Sequence, residues 1–163
     1  VVLDADGINA LEGHIDVLDS RRGLHTVLTP HDGEFARLTG CPLPLENRLE
    51  QARDFARTHK CILVLKGHRT ITAGPDGRAF VNTTGNPGMA KGGSGDVLSG
   101  ILASLLGQRK VRQALDPLSL IAGGVYLHGA AGDLAAARLG EYGMTPADLV
   151  EELPHALRAC TQG

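Results

Sequence analysis

The sequence predicts an α/β fold built on a mostly parallel sheet. Three observations predict it. Apolar runs of strand length alternate with helix-like stretches through the first half of the chain. The run Cys61-Ile62-Leu63-Val64-Leu65 is apolar throughout, as in a strand covered on both faces. Beyond Asp96 the pattern turns to helices alone.

Taken in order, Val1-Val2-Leu3 reads as a strand from the first residue, and a domain that opens inside a core strand predicts further sequence upstream. His25 to Thr29 reads as a second strand, stopped by Pro30. Gly33 to Leu38 starts a short helix that ends at Gly40. Between Leu45 and His59, the residues Leu45, Leu49, Ala52, Phe55 and Ala56 fit one face of a helix. Arg69 to Ala73 and Arg78 to Val81 flank Gly74-Pro75-Asp76-Gly77, a hairpin turn. Helices are then predicted over Val97 to Leu106, Leu115 to Leu139 and Pro146 to Cys160. In the last of these Thr145 is the N-cap, Pro146 holds the first helical position, and Leu149, Val150, Leu153 and Leu157 form the apolar stripe.

A chain of 163 residues suffices for one domain with a real core, and no repeat, linker or second boundary interrupts it. The hydrophobic fraction of 42% excludes a disordered chain. A net charge of -2 argues against nucleic acid as the main partner, and an aromatic content of 3% without Trp argues against a base-stacking platform. No apolar run is long enough to span a membrane, and the amino terminus has no basic start or cleavage site of a signal peptide, so a cytoplasmic location is expected. Cys41, Cys61 and Cys160 form neither a zinc pattern nor a redox pair and are expected as buried or half-buried free thiols.

Chemistry concentrates between Asn82 and Gly100. Gly92, Gly93 and Gly95 sit directly before an apolar helix, where backbone amides can turn toward an anion and the helix presents its positive end. Those amides would hold a transferring phosphoryl group, and Asp96 could accept the proton of an attacking hydroxyl. The Walker pattern fails because Gly92 follows Lys91, and the dinucleotide fingerprint fails because Leu98 stands where its third glycine belongs. Taken alone, the run also suits a plain loop with Asp96 as a helix cap.

Three further stretches follow strands, where ligands gather in open α/β sheets. Lys66-Gly67-His68-Arg69-Thr70 could meet phosphates or be a solvated turn. In Thr29-Pro30-His31-Asp32-Gly33-Glu34, His31 could bind substrate and Glu34 could hold magnesium through water or simply favour a helix start. Asp4-Ala5-Asp6-Gly7-Ile8-Asn9 could face the same crevice, although a turn with an Asx cap is the preferred account of Asp4. His128, inside the Ala/Gly-rich helix, reads as packed rather than catalytic, and His14, His25, His59 and His155 have no neighbouring pattern.

These stretches, in this order, resemble the ADP/ATP-dependent NAD(P)H-hydrate dehydratases. The resemblance rests on Val2 to Leu11, Thr29-Pro30-His31 with Gly33-Glu34, Lys66-Gly67 with Thr70, Asn86-Pro87-Gly88-Met89-Ala90, Gly92-Gly93-Ser94-Gly95-Asp96 and Tyr126-Leu127-His128-Gly129. The Asn-Pro-Gly-Met-Ala lead-in is the most specific part, and His31 points toward the ADP-using branch. The resemblance implies a ribokinase-like three-layer sandwich, with the N-terminal part of the domain, which carries early strands and a glycine-containing substrate loop, outside this chain. It implies passage of the terminal phosphoryl group of ADP (or ATP), with Mg2+, to the ring hydroxyl of hydrated NADH or NADPH, followed by loss of phosphate. Asp96 would be the catalytic base and also touch substrate, and His31 would be a second substrate contact. Lys66, Gly67, His68, Arg69 and Thr70 would bind nucleotide together with Gly92, Gly93 and Gly95. It further implies a homo-oligomer, a tetramer in the family, and an upstream epimerase domain in some parent proteins.

Asp32 departs from the pattern, standing where the family usually has Pro. Two other functions fit the same residues: a ribokinase-like kinase of the hydroxymethylpyrimidine or hydroxyethylthiazole type, and a nucleotide-binding fragment without turnover.

Overall fold

The computed structural model of the chain describes residues 1–161. Its contacts divide it into two compact units, Val1–Asn82 and the segment from Thr83 onward.

The first unit is a five-stranded sheet in sequential order: β1 (Val2–Leu3), β2 (Val27–Leu28), β3 (Ile62–Leu65), β4 (Ile71–Ala73) and β5 (Ala79–Val81). Strands β1, β2 and β3 are parallel, and β3, β4 and β5 continue antiparallel through the expected hairpin. The sheet is therefore mixed, with its parallel half ahead of the hairpin. Pairing runs on past the regular strands: the Thr29 amide donates to the Leu3 carbonyl at 3.1 Å and the Lys66 amide to the Pro30 carbonyl at 2.8 Å.

Register matters more than length. Val2 lies beside Val27 and Val27 beside Ile62, while Leu3, Leu28 and Leu63 form the next row. The carboxyl ends of the three parallel strands therefore open together, with Asp4, His31 and Lys66 just past them. A further parallel bridge pairs His31 with Lys66.

Helix α1 (Asp6–Asn9) and a 3-10 segment (Ile15–Arg21) lead from β1 to β2. Helices α2 (Asp32–Thr39) and α3 (Arg48–His59) lead from β2 to β3. Gly40 takes the left-handed conformation that stops α2, φ 73°. Phe35 of α2 meets Phe55 of α3 edge-on, with ring centroids 5.4 Å apart, over the sheet residues Leu28, Leu63, Leu65, Ile71 and Ala73.

The second unit opens on a 3-10 turn (Pro87–Met89) and continues as α4 (Ser94–Gly107), α5 (Arg109–Ala114), α6 (Pro117–Gly143) and α7 (Pro146–Thr161). Helices α4 and α6 approach closely at Gly124, where a Cβ would stand 2.7 Å from a Leu102 methyl. Ile101, Leu127, Ala131 and Ala156 form one small core, and Ala135, Met144 and Leu149 another. The helix expected over 115–139 starts instead at Pro117. Leu115 is extended, and the Asp116 side chain accepts a 3.2 Å bond from the Ser119 amide to cap α6.

In α7 the buried positions are Leu149 and Ala156, with Leu153 packed alongside. Val150 and Leu157 stay 52% and 50% exposed. The expected stripe is thus rotated, because 149, 153 and 156 share one helical face whereas 150 and 157 share the next. Among the thiols, Cys61 is buried and Cys41 half-buried, but Cys160 near the end of α7 is exposed, against expectation. Among the described residues no helix is long and apolar enough to cross a membrane.

Candidate active site

In the first unit, four side chains expected from three separate motifs converge past the parallel strands: Asp4, His31, Glu34 and Lys66. Lys66 Nζ donates to Asp4 Oδ1 at 2.8 Å and lies 3.8 Å from Glu34 Oε2. All three side chains are mostly shielded: Lys66 is 21% exposed, Asp4 14% and Glu34 7%. In so sheltered a place, two carboxylates need the intervening ammonium. Lys66 therefore serves here as a counter-charge, and the part of its loop that stays exposed is Gly67, His68 and Arg69. Asp4 Oδ1 also accepts from the Ala5 amide at 3.0 Å, a bond one residue on rather than the two of an Asx turn, and the Asp4 carbonyl accepts from the Gly7 amide at 2.9 Å.

His31 caps α2. Its Nδ1 accepts from the Gly33 and Glu34 amides at 3.0 and 3.2 Å, and Glu34 Oε2 returns a 2.8 Å bond from the His31 amide. An Nδ1 that accepts from amides carries no proton, so the proton of the neutral ring sits on Nε2. The His31 side chain is 54% exposed. Glu34, expected as a magnesium contact, is buried with Oε2 held by the His31 amide and Oε1 3.6 Å from His31 Nε2. Among the described residues, no cluster of three His, Cys, Asp or Glu side chains is placed to hold a metal ion. A magnesium ion fits this chemistry as a companion of nucleotide phosphates, which supply most of its oxygens.

The loop from Lys66 to Thr70 is held by a residue that the sequence did not single out. Arg48 Nε donates to Asp32 Oδ1 at 3.0 Å, and its guanidinium also donates to the carbonyls of Lys66 (3.1 Å) and His68 (3.3 Å). Gly67 has φ 149°, and a Cβ there would lie 2.8 Å from Arg48 Nη2. The Asp32 departure thus gains a role: it is the counter-ion of the arginine that shapes this loop.

In the second unit, the glycine-rich run forms the start of α4. Gly93 is its N-cap at φ 95°, a conformation that disfavours any other residue. The first intrahelical bond joins the Val97 amide to the Gly93 carbonyl at 3.1 Å, and the Ser94 amide turns back to Lys91 O at 3.3 Å. The amides of Gly95 and Asp96 precede that bond and are left over for an anion. Nothing lies within 4 Å of the position a Gly92 Cβ would take.

Asp96 sits inside the first turn of α4, exposed, while Gly93 caps the helix without any side-chain bond. The helix-cap reading of Asp96 is thereby set aside, and its carboxylate is available for chemistry. Behind it, His128 Nε2 donates to the Ser94 carbonyl at 3.0 Å. Burial holds His128 below the ordinary imidazole value, with the bond to Ser94 opposing that shift. His128 is a packed neutral residue that fixes the turn.

The lead-in is anchored with equal care. Asn86 caps its own turn by accepting from the Gly88 amide at 3.1 Å. Asp133 of α6 accepts from the Gly85 amide at 2.9 Å and from Asn86 Nδ2 at 3.0 Å. Neither Asp133 nor Lys91 was a sequence candidate. The visible signal for Asp133 was a lone acid within the Gly- and Ala-rich run of α6.

A family model described as NAD(P)H-hydrate dehydratase matches residues 1–155. The chain belongs to the NAD(P)H-hydrate dehydratase family. It is 50% identical over 159 residues to the bifunctional NAD(P)H-hydrate repair enzyme of Moorella thermoacetica, covering 96% of this chain and 29% of that protein. It is 40% identical over 137 residues to the ADP-dependent (S)-NAD(P)H-hydrate dehydratase of Neisseria meningitidis, covering 82% of this chain and 45% of that protein. Among solved structures, the ADP/ATP-dependent NAD(P)H-hydrate dehydratase of Bacillus subtilis, co-crystallized with ATP/Mg2+, superposes with a TM-score of 0.82 at 32% identity. That match covers 98% of this chain and 56% of the other. A ribokinase-like superfamily protein of Enterococcus faecalis superposes at 0.75, also with 32% identity, over 97% of this chain and 52% of its own. The fold is therefore ribokinase-like, and this dehydratase-family chain spans less than half the length of these two curated relatives.

Proposed function

We propose that the protein is an ADP-dependent NAD(P)H-hydrate dehydratase, a carbon–oxygen lyase that repairs a damaged nicotinamide cofactor. The observation that carries this reading is the start of α4, where unused amides and an open Gly92 meet an exposed, uncapped Asp96. In this reading Asp96 takes the proton of the hydroxyl at carbon 6 of the hydrated ring. That oxygen bonds to the terminal phosphorus of ADP as the bond to the bridging oxygen breaks and AMP departs. The ring nitrogen then donates its electron pair, the carbon–oxygen bond breaks with release of phosphate, and loss of the neighbouring ring proton restores NADH or NADPH. Gly92, Gly93 and Gly95 hold the transferring phosphoryl group through backbone amides. Magnesium, when bound with the nucleotide, neutralises diphosphate charge.

His31 serves substrate binding through its Nε2 proton, and the Gly67–Thr70 backbone serves the nucleotide. Glu34 reaches a metal only through water. The whole chain is read as a single, partial ribokinase-like domain of a cytoplasmic homo-oligomer, joined in some parent proteins to an epimerase domain.

The test supplies the protein with hydrated NADPH and ADP and follows the near-ultraviolet absorbance of reduced nicotinamide. Recovery of absorbance with one AMP released per NADPH supports the reading. Phosphorylation of a hydroxymethylpyrimidine or hydroxyethylthiazole without recovery overturns it in favour of a vitamin-precursor kinase.

A further inference from the structure

Lys91, next to the anion turn in sequence, has the charge and position of a phosphate ligand. Its side chain is used otherwise. Its Nζ lies 3.0 Å from the Glu141 carbonyl, 3.2 Å from that of Tyr142 and 2.6 Å from that of Met144. An ammonium has three protons and no further donor, so these carbonyls saturate it. They come from the corner where α6 gives way to α7. There Gly140 leaves helical geometry (φ 74°, ψ 156°) and the last carbonyls lose their helical partners. A cation at the end of a helix also suits the negative end of its dipole.

The same corner touches the glycine-rich segment twice more. A Cβ on Gly88 would stand 2.6 Å from the Glu141 carbonyl oxygen and 2.7 Å from Met144 Sδ. A Cβ on Gly93 would stand 3.0 Å from Pro146 Cγ. Residues 88, 91 and 93 are thus seated on residues 141–146, and the open residue between them is Gly92.

We propose that Lys91 is a positioning residue that moulds the anion turn onto the α6–α7 corner, and that it makes no phosphate contact. The proposal rests on the reading of Gly92–Asp96 as the phosphoryl site. It accounts for how a turn with so few side chains keeps its amides aimed before any ligand arrives. Preorganised donors cost no rearrangement when charge develops, which is why their aim governs rate.

The test compares Lys91→Met and Lys91→Arg with wild type. Amide resonances of Gly92, Gly93 and Gly95 are recorded without nucleotide, together with thermal unfolding, ADP affinity by calorimetry, and kcat and KM for the hydrate reaction. The expected result for Lys91→Met is displaced or broadened turn resonances in the free protein, with Gly74 and Gly77 of the hairpin unchanged. Its kcat falls by about a hundredfold, the loss expected when reacting groups are misplaced by about an ångström. ADP affinity changes by less than about fivefold, since misaimed amides lose more in the transition state than in the ground state. Lys91→Arg, which keeps donors for the carbonyls, recovers most of both the spectrum and kcat. A Lys91→Met spectrum that matches wild type without ligand, combined with loss of ADP binding, overturns the proposal and makes Lys91 a phosphate ligand. A fall in melting temperature with unchanged turn resonances and unchanged kcat also overturns it, leaving a structural cap. Should wild type fail to act on the hydrate, the spectra and calorimetry still decide the role of Lys91, and only the dehydratase reading falls.

Discussion

Two glycines four residues apart should respond oppositely to the same added methyl group. At Gly88 a Cβ meets Glu141 O at 2.6 Å, Met144 Sδ at 2.7 Å and Glu141 Cα at 2.8 Å. Comfortable non-bonded separations are about 3.5 Å or more, so the corner must move by roughly 0.8 Å. Two of the three obstacles are backbone atoms, which cannot rotate away. Overpacking of this kind costs about 1–3 kcal/mol. For a chain of this size each kcal/mol lowers the melting temperature by about 2–4 °C. Gly88→Ala should therefore melt several degrees below wild type, and it should also lose activity because the displaced Glu141 carbonyl is one of those that hold Lys91. At Gly92 nothing lies within 4 Å of the added carbon, and no positive φ forbids it. Gly92→Ala should melt at or slightly above the wild-type temperature, since a methyl group there restricts the unfolded chain by about 0.4–1 kcal/mol. Its activity should nevertheless collapse if the open space is where the phosphoryl group sits. The assay is thermal unfolding by circular dichroism alongside turnover for both variants. A Gly92→Ala protein that keeps full activity would refute the placement of the anion. A Gly88→Ala protein with an unaltered melting temperature would refute the packing argument.

Lys66→Met should destabilise the protein by about 3 kcal/mol, because removing one partner leaves sheltered Asp4 and Glu34 without their counter-charge. Urea unfolding measures it, and an unchanged midpoint would show that Lys66 is not the ion bridge described. His128 supplies a pH dependence of known sign. Its value in the folded protein lies below the 6.5 of the unfolded chain, chiefly through burial. As pH falls, the unfolded state therefore binds the proton first. The associated stability is complete above 6.5 and is lost progressively below it. His128→Gln, which keeps a donor for Ser94 O, should lose less stability than wild type between about pH 8 and about pH 5, and equal losses would contradict the assignment.

How much was legible beforehand follows from sequence distance. The glycine-rich start of α4, the hairpin and the Thr145 start of α7 are local patterns, and each was readable from a handful of neighbouring residues. At the last of these, the Thr145 hydroxyl and amide both donate to Asp148 Oδ2. The alternation of strand and helix likewise gave the α/β class, although the mixed sheet carries as many antiparallel pairings as parallel ones. Residues that shape the site through distant partners were not legible. Arg48 reaches the Lys66 carbonyl 18 positions away, Asp133 reaches Gly85 across 48, and Lys91 reaches Met144 across 53. Nothing around Arg48 marks it as different from the other arginines of α3. Lys66 illustrates the converse: its motif was visible, but its role as a counter-ion depends on Asp4, 62 residues earlier. The rotated stripe of α7 was missed because two adjacent apolar rows fit the same periodicity, and only packing chooses between them.

The central claim is that Asp96 acts as a base beside a backbone phosphoryl site, and one substitution separates it from a structural role. Asp96→Asn keeps the shape and removes the proton acceptor. The measurement is turnover of hydrated NADPH with ADP by the Asp96→Asn protein, with calorimetric ADP binding on the same sample. The account predicts that NADPH recovery and AMP release fall by at least about a thousandfold while the ADP dissociation constant stays within about threefold of wild type. Near-normal turnover, or loss of binding in step with turnover, would contradict it.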